Sequence, residues 1–372
     1  MKVLITGANG FIGRNLVAHL NEREDIDVVP FTRNDSLVDL PDLIVGVDFI
    51  FHLAGVNRPQ DPKEFQVGNA DLTSILCEAV GASGKQIPIL YTSSSQADLD
   101  NPYGNSKHAA EETLQDLSAR QGSKTYVFRL PNVFGKWSRP NYNSVVSTFC
   151  HNISRNLPIQ INDPDVSITL VYIDDVIAHF LALMDGQQCD DDFVEVEQKY
   201  NVTIGGLANQ LYAFRDSRNT LITESVGTGF ISALYSTYLS YLPPKSFTYE
   251  VPKHNDSRGV FVEMLKTHDS GQFSFFTAYP GITRGGHYHH SKTEKFLVIK
   301  GVANFRFRNI VTGEFHELST NGEKPEIVET VPGWTHDITN VGDDEMIVML
   351  WANEIFDRER PDTYAMPVVE DS

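Results

Sequence analysis

Seven residues near the N-terminus, Gly7-Ala-Asn-Gly10-Phe-Ile-Gly13, leave this chain few folds to choose from. Val3-Leu-Ile-Thr before them reads as a short buried strand, and Arg14 to Leu20 continues as an amphipathic helix. Strand, glycine turn and helix form the first unit of an α/β fold with a doubly wound parallel sheet. The glycines permit a tight turn, and the helix N-terminus is suited to a pyrophosphate. Gly7, Gly10, Phe11, Ile12 and Gly13 are therefore candidate cofactor-binding residues. A lone glycine fingerprint is a weak signal. Flanked by a strand and a helix, it is a strong one.

Asp27-Val-Val-Pro-Phe-Thr-Arg33 reads as the second strand. Sites for NAD usually place an acidic residue at its end, whereas Arg33 suits a 2′-phosphate, so NADPH is the expected cofactor. The competing reading of Arg33 is an exposed loop arginine. Asp48-Phe-Ile-Phe-His-Leu-Ala-Gly55 is another buried strand, ending at Leu53 and Ala54 where a cofactor can approach. Pro88-Ile-Leu-Tyr-Thr-Ser-Ser-Ser95 then leads into Tyr103 and Lys107. Spaced four apart on a predicted helix, these two share a face. A phenol titrates near pH 10, too high for acid–base work at neutrality, and a neighbouring ammonium stabilises its phenolate. A serine at the strand end would hold a substrate carbonyl. Tyr-x-x-x-Lys is a common accident in isolation, but not directly after a Thr-Ser-Ser-Ser strand end in such a domain.

With Arg129-Leu-Pro-Asn132-Val-Phe-Gly135 and Val171-Tyr-Ile-Asp-Asp175-Val, residues 1–243 resemble the extended short-chain dehydrogenase/reductases. The resemblance implies action on nucleotide sugars and places the catalytic hydroxyl at Ser94, with Ser95 as the alternative. It assigns Tyr103 and Lys107 to both catalysis and cofactor binding, and puts Asn69 and Asn132 beside the cofactor. Lys136, Arg139 and Asn143 become candidates for binding the substrate diphosphate, or else ordinary surface residues. The gap from Ser94 to Tyr103 is shorter than the family's usual insertion, which implies a more open substrate pocket.

From Phe247 onward the pattern changes to short alternating strands. Ala303-Asn-Phe-Arg-Phe-Arg308 would turn Phe305 and Phe307 to a core, and Glu345-Met-Ile-Val-Met-Leu-Trp351 reads as a fully buried strand. Gly285-Gly-His-Tyr-His-His-Ser-Lys-Thr-Glu294 is answered by Pro332-Gly-Trp-Thr-His336. His287, His289 and Glu294 can converge with His336 on a borderline cation such as zinc. The bland alternative is a histidine-rich surface turn. The two motifs resemble those of the cupins, all-β jelly rolls, although Pro332 and Gly333 are adjacent where that family has a spacer. His290 could replace His289 if the strand ends early. Asp256-Ser-Arg-Gly259 and Pro280 to Tyr288 also resemble deoxysugar 3,5-epimerases, in which the residue matching His287 is a base. His287 is thus a candidate ligand and a candidate catalytic residue.

The 372 residues suffice for two cores, expected at 1–243 and 244–372. A net charge of −19 argues against nucleic acid or anionic membrane as partner. Three scattered cysteines, the lack of a long apolar run and the absence of a leader pattern indicate a cytoplasmic protein. Taken whole, the chain resembles capsular polysaccharide synthesis enzymes that join an extended reductase to a C-terminal cupin. That resemblance implies a homodimer acting on a UDP-sugar. Its cupin would epimerise C3 of a UDP-2-acetamido-2,6-dideoxy-4-hexulose. Its reductase would then reduce the C4 ketone with NADPH to a UDP-2-acetamido-2,6-dideoxy-L-talose, towards N-acetyl-L-fucosamine. The alternative is a single-activity reductase, epimerase or dehydratase whose cupin binds sugar or dimerises the chain.

Overall fold

The computed structural model describes residues 1–189, 191 and 193–369. Two compact units emerge: Met1–Tyr212 with Thr228–Pro243, and Ala213–Gly227 with Pro244–Ser372. The second unit thus takes in residues ahead of the expected 243/244 boundary. The cause lies in the backbone: the amides of Lys266 and Thr223 donate to the carbonyls of Leu221 (2.7 Å) and Lys266 (2.8 Å), adding this segment to the β unit.

The first unit contributes β1 (Lys2–Thr6), β2 (Asp27–Phe31), β3 (Phe49–His52), β4 (Ile89–Ser94), β5 (Thr125–Leu130), β6 (Asn132–Phe134), β7 (Ser167–Tyr172), β8 (Phe193–Val194) and β9 (Tyr200–Thr203). Six form a sheet in the order β2-β1-β3-β4-β5-β8, and every pairing in it is parallel. Strands β6, β7 and β9 form a small separate sheet. Side chains alternate across the main sheet: Val3, Ile5, Phe49 and Phe51 join one core, while Leu4, Ile50, Ile89 and Tyr91 join the other. Both faces are covered, so β3 and β4 are buried along their whole length. The strand order reverses between β1 and β3, and the carboxyl ends there form the ligand crevice of doubly wound folds.

The second unit holds β10 (Lys253–Asp256), β11 (Gly259–Thr267), β12 (Gly271–Ala278), β13 (Thr283–Tyr288), β14 (Glu294–Lys300), β15 (Val302–Asn309), β16 (Phe315–Asn321), β17 (Ile327–Glu329), β18 (Trp334–Asn340), β19 (Met346–Ala352) and β20 (Tyr364–Ala365). They form two antiparallel sheets, β10-β11-β12-β19-β14-β17 and β16-β15-β18-β13-β20, a jelly-roll arrangement. Phe276, Phe296, Phe305, Phe307, Ile338 and Val348 fill the space between them. Strand β19 is less buried than its apolar sequence suggests. Met346 and Val348 are buried, but Ile347, Met349 and Trp351 are half-buried, as on an antiparallel sheet with one covered face.

Candidate functional sites

Helix Pro102–Gln121 starts sharply because the Asn101 side chain accepts from the Gly104 amide at 2.9 Å and Pro102 occupies the first turn. Tyr103, Lys107 and Glu111, four residues apart, line one face of this helix. Lys107 is buried and its Nζ donates to the Thr92 carbonyl at 2.9 Å, which brings it against β4. Burial lowers the Lys107 pKa to about 8, with Glu111 opposing that shift. Glu111 is itself held by the Ser93 hydroxyl and by Arg129, at 3.0 and 2.6 Å. Ser94 ends β4 as a buried residue, whereas Ser95 is exposed, which favours Ser94 as the hydroxyl partner.

The expectation that Tyr103 would be acidified needs correction. Burial pushes its pKa up, and the Ser94 hydroxyl opposes that only in part. A phenol protonated at neutral pH is the form a proton donor requires. Lys107, one helical turn along the same face, is charged below about pH 8, and an ammonium near a phenol favours its phenolate. Reduction should therefore fall as pH rises past that value, because the neutral amine no longer offsets the phenolate charge. A kcat profile from pH 6 to 10 checks this, and a rate that stays flat across that range would remove the Lys107 charge from the mechanism.

Around the first turn, Gly7 has φ +71, and a Cβ there would lie 2.7 Å from the Ala54 backbone. A Cβ on Gly13 would meet the Gly7 carbonyl oxygen at 2.2 Å. Only glycine lets this turn close on β3 and on its own helix. Phe11 and Ile12 begin that helix, and Leu53 and Ala54 follow β3.

Beneath the turn runs a buried polar chain that sequence reasoning missed. The Ala54 amide donates to Thr6 Oγ1 (3.2 Å), which lies 2.7 Å from His52 Nδ1. His52 Nε2 meets Thr73 Oγ1 at 2.9 Å, and that hydroxyl donates to the Asn69 carbonyl at 2.7 Å. Because Thr73 spends its proton on Asn69, His52 must donate from Nε2 and accept at Nδ1. Burial, then the field of Lys107, lowers its pKa to about 3 and keeps it neutral. The Asn69 side chain continues to Ser106 at 2.9 Å, and Ser106 donates to the Tyr103 carbonyl at 2.8 Å.

The remaining residues expected in this unit are more peripheral. Arg33, Asn132, Arg139 and Asn143 are exposed. The Lys136 ammonium already pairs with Asp174 at 2.5 Å, so a diphosphate would have to share it. Arg139 lies against the Tyr142 ring, 5.2 Å from its centroid.

In the second unit, His287 and His336 face each other across the β13–β18 pair, with ring centroids 4.7 Å apart. Strand β13 ends at Tyr288, yet His289 still turns inward, its ring centroid 5.0 Å from that of His287. His290 instead is exposed and packs against Tyr364. One ligand atom from each of His287, His289, Glu294 and His336 lies within 4.8 Å of the others. Among the described residues, His336 Nε2 is buried with no hydrogen-bond partner, although Glu294 Oε2 is 3.4 Å away. Three imidazoles, one carboxylate and an orphaned buried nitrogen fit a divalent cation such as zinc. Burial would raise the Glu294 pKa, but His289, His336 and Lys292 outweigh it and keep the carboxylate ionised. Burial and then His336 lower the His287 pKa to about 4, so its imidazole is neutral, as a ligand or a base must be. Phe307, its ring centroid 6.4 Å from that of His336, also lines a cavity of about 500 Å³ with His316, Leu318 and Trp334.

Residues 3–202 match the NAD dependent epimerase/dehydratase family, more than half of the chain. The chain belongs to that family. It uses a nicotinamide cofactor, in keeping with the glycine turn and the Tyr103–Lys107 helix. Residues 254–364 match the polysaccharide biosynthesis C-terminal domain. Over 370 residues, the whole of both proteins, the chain is 68% identical to the UDP-2-acetamido-2,6-beta-L-arabino-hexul-4-ose reductase of Pseudomonas aeruginosa. The crystal structure of the capsular polysaccharide assembling protein CapF from Staphylococcus aureus superposes with a TM-score of 0.92 at 42% identity. That match covers 99% of this chain and 100% of CapF. UDP-glucuronic acid 4-epimerase from Bacillus cereus, in complex with NAD, shares the fold of 57% of this chain and 82% of its own at TM-score 0.53 and 20% identity. Among the described residues, no helix is long and apolar enough to cross a membrane.

Proposed function

We propose that this protein is a bifunctional UDP-sugar enzyme of the cytoplasm, acting as a homodimer. Its second unit epimerises C3 of a UDP-2-acetamido-2,6-dideoxy-4-hexulose, and its first unit reduces the C4 ketone with NADPH. The observation that carries this reading is the presence of two different reactive clusters in one chain, Ser94/Tyr103/Lys107 and His287/His289/Glu294/His336. The name of the Pseudomonas relative supplies the substrate class.

In the first unit the glycine turn and the loop after β3 would hold NADPH, which supplies hydride to the carbonyl carbon when bound. Ser94 holds the carbonyl oxygen, Tyr103 donates its phenolic proton to it, and Lys107 stabilises the resulting phenolate. In the second unit His287, His289, Glu294 and His336 would hold a divalent cation, whose Lewis acidity would favour loss of the proton beside the ketone. Where His287 is the base and not a ligand, its neutral imidazole takes that proton, and return of a proton to the opposite face of C3 completes the inversion. Epimerisation alone is reversible, and coupling it to hydride transfer draws it forward. Incubating the protein with a UDP-4-keto sugar and NADPH, then identifying the product by NMR, tests the whole reading. A reduced product with unchanged C3 configuration would limit the chain to reduction.

Cofactor choice rests on Arg33. The nearby acid, Asp35, accepts from the Thr32 amide at 2.7 Å and from its hydroxyl at 2.8 Å, and so is occupied within its own loop. Exposed Arg33 is left to meet a 2′-phosphate. NADPH should bind about tenfold or more tightly than NADH, as expected for one charge-assisted contact of roughly 1.5–3 kcal/mol, and Arg33→Ala should narrow that gap. Equal affinities for the two cofactors in the parent protein, by titration calorimetry, would sink the assignment.

A further inference from the structure

Strand β13 ends one residue before His289, so the pleat does not by itself aim this imidazole at the cluster. Something else must hold it there. The loop His290–Thr293 wraps around one carboxylate from the far end of the chain. Asp362 accepts from the amides of His290 at 3.0 Å, Ser291 at 2.9 Å and Lys292 at 2.9 Å, and from the Ser291 hydroxyl at 2.9 Å. The backbone carbonyl of the same residue lies 2.6 Å from His289 Nδ1. A carbonyl can only accept, so Nδ1 carries a proton, and Nε2 is the nitrogen left to bind a metal. That Nε2 faces Glu294 Oε2 at 3.2 Å.

The segment carrying Asp362 is fastened on both sides of the cluster. Strand β20 pairs with β13 at His287 and Tyr288, and the Met366 amide donates to the Gly286 carbonyl at 2.8 Å. The Thr335 hydroxyl, next to His336, donates to the Met366 carbonyl, and Arg308 Nε donates to the Val368 carbonyl at 2.7 Å. Asp362 adopts φ +31, a conformation costly for a side-chain-bearing residue and kept only where the surroundings over-determine it. The five contacts to Asp362 supply that constraint.

We propose that Asp362 is the positioning residue of the metal centre: its carboxylate shapes the loop after β13, and its carbonyl fixes the tautomer in which His289 can bind a metal. The C-terminal strap is therefore a working part of the centre and not a trailing end. This inference rests on the metal-binding reading of His287, His289, Glu294 and His336, and adds a residue that touches none of the reacting atoms.

Zinc affinity of the full-length chain, measured by competition with a chromophoric chelator, tests it. The parent should bind about one zinc per chain, and Asp362→Ala should weaken binding about 10- to 100-fold, the usual effect of losing a partner that orients a ligand. Asp362→Asn keeps the size and some acceptor capacity and should fall between them. NADPH affinity should not change in either variant. The absorption bands of the cobalt(II)-loaded protein should shift in Asp362→Ala, a change that lowered stability alone does not produce. Zinc affinity and cobalt spectrum both equal to the parent's would overturn the role of Asp362. If Asp362→Ala does not fold, unchanged affinity in Asp362→Asn overturns it equally. A parent that takes up no zinc or cobalt overturns the metal reading itself, and the inference with it.

Discussion

Tyr103→Phe should lower NADPH-dependent reduction by about 10²–10⁴-fold, the usual contribution of a positioned proton donor, and leave NADPH binding intact. The substitution removes one hydroxyl and keeps the ring. That ring packs against Phe65 with centroids 5.6 Å apart, so the helix face that carries Lys107 has no reason to move. Lys107 is a stronger acid than Tyr103, so the assignment rests on placement: the Tyr103 hydroxyl meets Ser94 at the end of β4. Serine is too weak an acid. Lys107, on donating to Thr92 and losing charge near pH 8, is better placed to tune its neighbour than to replace it. Stopped-flow oxidation of NADPH with excess UDP-4-keto sugar measures the effect. A parent-like rate would take Tyr103 out of the chemistry, and loss of NADPH binding would show that the substitution had damaged the cofactor site.

The N-terminal architecture is legible in the sequence because its signals are local. A short apolar run, a glycine turn with φ +71 at Gly7 and an amphipathic helix follow one another within twenty residues. The Tyr103–Lys107 spacing is equally local, set by one helical turn. His287, Glu294 and His336 are also readable, since their residue types and motif positions are diagnostic even though β14 and β18 lie apart in sequence. What stays hidden depends on distant backbone groups. Asp362 reaches its partners across some seventy residues, and most of them are main-chain amides that no side-chain pattern reports. His52 looks like any polar residue closing an apolar strand until Thr6 and Thr73 are found on either side of it. The pKa of Tyr103 is misjudged for a related reason. The spacing reveals the nearby ammonium, but not how deeply the phenol is buried. The bridge from Leu221–Thr223 to Lys266 likewise leaves no trace in composition, because it uses only backbone hydrogen bonds.

His336→Ala should separate the two activities. It deletes the imidazole whose Nε2 is the orphaned buried atom of the cluster, so zinc content should fall from about one per chain towards zero. The second unit should also lose thermal stability, because metal binding contributes to its folding free energy. The chemical consequence is more discriminating. A proton at C3 is acidic only when negative charge on the neighbouring ketone oxygen is stabilised, and a cation held by this cluster is suited to that task. With UDP-4-keto sugar in D₂O and no NADPH, the parent should exchange its C3 proton for deuterium. Tyr103→Phe should still do so, since it alters only the first unit, whereas His336→Ala should not. NADPH binding in His336→Ala should remain at the parent level, because the glycine turn and the Tyr103 helix have a core of their own. Mass spectrometry of the recovered sugar nucleotide reads the exchange directly. Exchange lost in Tyr103→Phe but kept in His336→Ala would assign both steps to the first unit and leave the jelly roll a structural role.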